Sequence, residues 1–105
     1  MSITKTLADF SASITLAALP PEVVTRARFL VLDLVANMVR ARVDAESTPP
    51  LFAAVNALGL NHGDAAVFGE PRRFSPAGAA LLNGALAHSL DFDDTHAAGS
   101  LHPGA

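Results

Sequence analysis

Ile3, Leu7, Phe10 and Ile14 recur at spacings of four, three and four, which places them on one helical face. That face predicts a first helix running to about Leu19, where Pro20-Pro21 stops it. Pro21 suits the first turn of a second helix, since its missing N–H would have no intrahelical partner there. Glu22 sits favourably at the positive end of that helix dipole. The second helix, about 21–42, is the most apolar: Val23, Val24, Ala27, Leu30, Val31, Leu34, Val35 and Met38 form one wide stripe. Phe29 and Leu32 lie off the stripe, so little of the surface is left for water. A helix apolar nearly all round is normally buried on several sides, and neighbours beyond those this chain provides are expected. Asp33 within it reads as a surface or packing residue rather than a catalyst.

Residues 43–50 form a loop, and a third helix follows from about Pro50 to Leu58, with Gly59 as a left-handed cap. Asn61-His62-Gly63-Asp64 is turn chemistry. Ala65–Phe68 reads as a short extended piece before a Gly69-Glu70-Pro71 turn, and Arg72 and Arg73 read as solvated loop residues. Ser75-Pro76 starts a fourth helix, a serine cap followed by proline at the first helical position. It runs from Ala77 to about Leu90, with Gly84 allowing close helix approach, and delivers the chain into Asp91-Phe92-Asp93-Asp94-Thr95-His96. The fold class expected is all-α, with about four helices.

Composition agrees: 21 of the 105 residues are alanine, the strongest helix former. Mean hydropathy is +0.36, too apolar for a monomer of this size, which exposes a large share of its surface. The chain therefore reads as part of something larger, as an obligate oligomer, or as both. With no cysteine there is no disulfide framework, thiol nucleophile or Cys-ligated zinc. No apolar run approaches the ~20 residues of a membrane span, and Asp9 interrupts the N-terminal apolar stretch, which makes a poor signal peptide. A cytoplasmic protein with no membrane or nucleic-acid partner is expected.

Charge sharpens the picture. Residues 1–73 balance seven acids against seven bases, so the net −3 resides in Asp91, Asp93 and Asp94, and no Lys or Arg follows Arg73. Three of the four histidines, His88, His96 and His102, lie in the same stretch. On a helix His88 and Asp91 share a face, so an ionised Asp91 would orient the His88 ring. Three readings compete for this segment: a solvated helix end, a His/Asp metal site, or general acid/base catalysis by crowded carboxylates whose pKa values split, with histidine as second proton carrier. Acids at the negative end of a helix dipole weigh against the first. No HExxH or EF-hand pattern supports the second. Spacing alone does not separate the second from the third.

The run Asn83-Gly-Ala-Leu-Ala-His88-Ser-Leu-Asp91-Phe-Asp-Asp-Thr95-His, followed by His102-Pro103, resembles the signature of the MmgE/PrpD family. Leu19-Pro20-Pro21-Glu22-Val23, Leu32-Asp33, and Gly69 and Arg73 ahead of Ser75-Pro76-Ala77 resemble the family's opening. The family includes 2-methylcitrate dehydratases, cis-aconitate decarboxylases and an iminodisuccinate epimerase. The resemblance implies a large all-α domain, discontinuous in sequence, with an α+β lid inserted. It also implies a dimer, of which residues 1–105 would be roughly the first quarter of a protomer, an incomplete domain.

By position, Asp91 matches the family's active-site aspartate, Thr95 its threonine and His102 its histidine. The stretch between Thr95 and His102, HAAGSL, departs from the decarboxylase-like members. The implied activity is a lyase acting on a small polycarboxylate without metal or other cofactor, in propionate metabolism for the dehydratases. Asp91 would polarise or accept a proton, His102 transfer one, and Thr95 hydrogen-bond a substrate carboxylate. His88, Asp94 and His96 are expected to support them. A polycarboxylate beside three aspartates needs cations, since like charges 4 Å apart repel by about 4 kcal/mol at an effective dielectric near 20. Those cations, like the cover for the second helix, would come from the remainder of the fold or from a homo-oligomeric partner. A 105-residue chain alone would be inactive, and the competing reading is a non-catalytic helical association module.

Overall fold

The structure, a computed structural model, describes residues 2–104. It is mostly helical. Four α-helices, α1 (Ile3–Ser13), α2 (Pro21–Asp44), α3 (Thr48–Ala57) and α4 (Pro76–His88), are joined by one antiparallel hairpin, β1 (Ala65–Val67) and β2 (Glu70–Phe74). Short 3-10 turns occupy Leu16–Ala18 and Ala97–Gly99.

The Ser2 hydroxyl caps α1 by accepting the Lys5 N–H at 3.2 Å. The helix ends at Ser13, short of the expected Leu19: Ser13 Oγ donates back to the Phe10 carbonyl at 2.8 Å, and Ile14 is extended. Two β-branched residues, Ile14 and Thr15, follow there, and both disfavour continuing the helix. None of the apolar stripe on α1 is buried.

Pro21 does open α2, with Glu22 in its first turn. Only the C-terminal half of α2 enters the core, through Met38 and Ala41, with Leu34 packed at the margin. Phe29 and Leu32 stay 61% and 65% exposed, so the neighbours expected around this helix are not supplied by the described residues. A three-residue link leads to α3, which begins at Thr48 rather than Pro50, so that Pro49 and Pro50 occupy its first turn. The buried Thr48 hydroxyl donates to the Ala41 carbonyl at 2.8 Å and ties α3 to α2.

The core joins α2, α3, the hairpin and α4. Phe74, Leu82, Leu86 and Val55 are its largest fully buried side chains, and Phe52 meets Phe74 edge-to-face at 5.8 Å. The hairpin pairs Ala65 with Phe74 and Val67 with Glu70, with an irregularity after Ala66. Gly69, at φ 76°, turns the chain while passing within 3.2–3.4 Å of Arg42 and Val39, measured from where a Cβ would stand. The positive φ favours glycine, and a side chain there would press on α2.

Arg72, expected as a solvated loop residue, is instead in β2, as is Arg73. Arg72 Nε donates to Glu70 at 2.7 Å, Arg42 from α2 donates to the same carboxylate at 2.6 Å, and the Glu70 side chain is only 3% exposed. The Arg42 guanidinium lies over the Phe52 ring at 4.5 Å. A hydrogen bond from Arg72 and, against the opposing effect of burial, a second from Arg42 hold the Glu70 carboxyl down at about 2. A glutamate that dry persists because two cations flank it. No helix of the described residues is long and apolar enough to cross a membrane.

Candidate functional site

The C-terminal turn of α4 is anchored by Leu86 and Ala87 in the core, which fixes the position of His88, its last residue. Ser89 then terminates the helix: its hydroxyl donates to the Ala85 carbonyl at 2.5 Å and accepts from Ser47 at 3.1 Å. Asp91 donates its N–H to the His88 carbonyl at 2.9 Å and takes φ 54°. That left-handed conformation, which aspartate tolerates better than most residues, reverses the chain and folds Asp93 beneath the helix end.

The consequence is a change of partner for His88. The carboxylate on its ring is Asp93, not Asp91 as helical spacing suggested. Nδ1 of His88 lies 3.0 Å from Asp93 Oδ1 and 3.2 Å from Oδ2. His102 Nδ1 reaches the same carboxylate, 3.2 Å from Oδ2. The two imidazoles meet edge-to-face with centroids 4.6 Å apart. Asp93 is 6% exposed overall and its side chain is fully buried, whereas the His88 side chain is half exposed. Burial pushes the Asp93 carboxyl up, but the hydrogen bond from His88, another from the backbone and the nearby charge of His102 outweigh it and hold the group below its ordinary value.

Thr95 and His102 are brought together by a six-residue excursion. His96 donates its N–H to the Leu101 carbonyl at 2.9 Å, closing a small loop over Ala97–Gly99. The His96 ring is consumed inside that loop, its Nδ1 accepting the Gly99 N–H at 2.9 Å. A Cβ on Gly99 would stand 2.7 Å from His96 Nδ1, so a side chain there would have to displace the His96 ring. Beyond the loop, the Thr95 hydroxyl lies 3.5 Å from His102 Nδ1.

Asp91 belongs to the same group: donor atoms from His88, Asp91, Asp93 and His102 all fall within 4.8 Å of one another. Asp94 and His96 do not join it. Asp94 faces α2 instead, bordering an open groove of about 550 Å³ shared with Arg26, Leu30 and Asp33. His88, Asp91, Asp93 and His102 are the residues whose donors could hold a cation. Tetrahedral zinc with ligands at 2.0–2.1 Å sets its ligands roughly 3.3 Å apart. The 3.0 Å from Asp93 to His88 is already accounted for by an N–H···O hydrogen bond and the 3.2 Å to His102 by an ion-pair contact, while the four donors spread over up to 4.8 Å.

Asp93 had no place among the expected site residues. Its signal was local but weak: an acid two residues past Asp91 reaches the ring only if the helix stops at His88 and the chain turns back, and Ser89 is the residue that stops it.

A family model described as MmgE/PrpD N-terminal domain matches residues 5–105. The chain is 31% identical over 104 residues to "Cis-aconitate decarboxylase-like protein oryM" of Aspergillus oryzae (strain ATCC 42149 / RIB 40). That alignment covers 96% of this chain and 20% of the relative, so the chain spans about one fifth of that protein's length. No solved structure matches. With the match to the N-terminal domain running from Lys5 through the whole His88–His102 segment, the chain belongs to the MmgE/PrpD family.

Proposed function

We propose that this chain is the N-terminal segment of the helical domain of a lyase, and that it contributes one half of an acid/base site for a small polycarboxylate. The observation carrying this reading is the convergence of Asp91, Thr95 and His102 at the end of α4, from sequence positions up to eleven apart. Loss of water, with removal of a proton next to a carboxylate, builds enolate-like charge, as does loss of carbon dioxide before a proton is returned to that carbon. It requires a base, an acid for the leaving group and hydrogen-bond donors. In this reading Asp91 polarises or accepts the proton, His102 transfers one, and Thr95 donates to a substrate carboxylate. His88 supports them within the cluster and His96 only through the loop it closes, whereas Asp94 faces α2. No cofactor is invoked, because carboxylate and imidazole supply the proton transfers.

The cations that would balance a polycarboxylate do not come from residues 74–105, which contain no Lys or Arg. They are assigned to the remainder of the protein or to a second copy of it. Proton NMR of the full-length protein with 2-methylcitrate and with cis-aconitate tests the substrate class and separates loss of water from loss of carbon dioxide. Turnover of neither overturns it. Asp91→Asn is expected to lower kcat by about 10²- to 10⁴-fold, the usual contribution of a positioned proton-transfer group. An unchanged kcat removes Asp91 from the chemistry.

A further inference from the structure

The buried carboxylate of Asp93 is the most constrained group at the end of α4. Its side chain is fully excluded from solvent, it is flanked by two imidazole nitrogens at 3.0–3.2 Å, and no buried polar side-chain atom among the described residues lacks a partner. An ionised carboxylate only accepts hydrogen bonds, so the His88 nitrogen bonded to it carries a proton, and a lone pair of His102 set 3.2 Å from the same anion would be repelled. An imidazole turned the other way would present a lone pair to a buried anion, leaving both unsatisfied at a cost of ~1–3 kcal/mol or more. Both contacts are made by Nδ1: that of His88 is a hydrogen bond, whereas that of His102 is a close charge contact beside the Thr95 hydroxyl at 3.5 Å. In the neutral ring a proton on Nδ1 leaves Nε2 as the acceptor.

We propose that Asp93 is the positioning residue of this site: it fixes His88 and His102 together in the Nδ1–H form and leaves the Nε2 of each ring as its basic nitrogen. One carboxylate serves two rings because its two oxygens offer about four acceptor positions. The arrangement makes His88 and His102 a matched pair rather than a base and a bystander. It rests on the lyase reading for the consequence in turnover, but not for the tautomers, which are a property of the resting protein.

The test therefore has two arms on the full-length protein. The first is a ¹⁵N NMR spectrum of histidine-labelled protein at a pH where the rings are neutral, with the two signals assigned by their loss in His88→Gln and His102→Gln. Expected is a protonated, pyrrole-type Nδ1 and a pyridine-type Nε2 for both residues. Either ring with its proton on Nε2 overturns the proposal, including the case in which a zinc ion copurifies and takes the Nδ1 lone pairs. This arm stands even if the protein turns over no polycarboxylate, in which case the lyase reading fails and the tautomer assignment does not.

The second arm is kinetic. Asp93→Asn is expected to lower kcat about 10²-fold, the scale of losing an orienting partner, with KM changed less than about threefold. Because Asp93 acts through the rings, the same substitution placed in a His88→Gln, His102→Gln background is expected to cost no further activity. An equal loss in both backgrounds would mean that Asp93 merely holds the fold, and would overturn the positioning role.

Discussion

Glu70 shows how strongly one side chain's surroundings decide its behaviour. Spacing marked it as part of a turn, yet it sits nearly dry between Arg42 and Arg72. Its folded pKa of about 2 lies below the ordinary 4.5, so between those values the unfolded chain binds the proton first. Stability from this group is complete above about pH 4.5 and lost as pH falls towards 2. Asp93, also held below its ordinary value, acts in the same direction. Glu70→Gln is expected to destabilise the protein by about 1–3 kcal/mol at neutral pH and to flatten its stability profile over that acid window. Denaturant melts at stepped pH check both. Parallel profiles for variant and wild type would show that the pair contributes nothing.

The site residues show what could be read beforehand and what could not. Asp91, Thr95 and His102 were marked by residue type and resemblance, and the fold does gather them. The partner of His88 was misassigned because spacing arguments assume the helix continues. Its end depends on the Ser89 back-bond and the left-handed Asp91, which are tertiary and conformational facts.

The helices and hairpin were readable wherever capping chemistry is explicit. Ser75-Pro76 begins α4 as expected, with the Ser75 hydroxyl accepting the Gly78 N–H at 3.0 Å. The first helix was overextended because a regular apolar stripe outlasted the helix that bears it. The two glycines of α4 now separate into different roles. A Cβ at Gly78 would lie 2.5 Å from the Leu60 carbonyl oxygen, whereas nothing stands within 4 Å at Gly84. Helix propensity alone favours alanine at either position by about 1 kcal/mol. Gly84→Ala is expected to stabilise by about that amount, and Gly78→Ala to destabilise, because the backbone contact outweighs the propensity. Thermal melts of the two variants should move in opposite directions.

Taken together, the described residues are extended rather than compact. Their radius of gyration is 16.3 Å over extents of 44 × 27 × 25 Å, against about 13 Å for a compact chain of this length. The excess comes from α1 and the N-terminal part of α2, whose apolar side chains face outwards. Hydropathy anticipated this surplus, though not which faces would carry it. Prepared as a 105-residue polypeptide, the chain is expected to sediment well above its 10.8 kDa mass. A Phe29→Glu, Leu32→Glu variant should shift towards the monomer. A wild-type monomer at high micromolar concentration would show that these faces do not drive association, and would remove the support they give to an association module.

The loop closed by His96 and Leu101 constrains the chain in a way that catalysis alone would not suggest. Its tip, Ala97 and Ala98, faces solvent, while its two ends set the spacing between Thr95 and His102. The segment behaves as a spacer. Closed at His96 and Leu101, it sets where His102 stands relative to Thr95 without lending a side chain to the contact with Asp93.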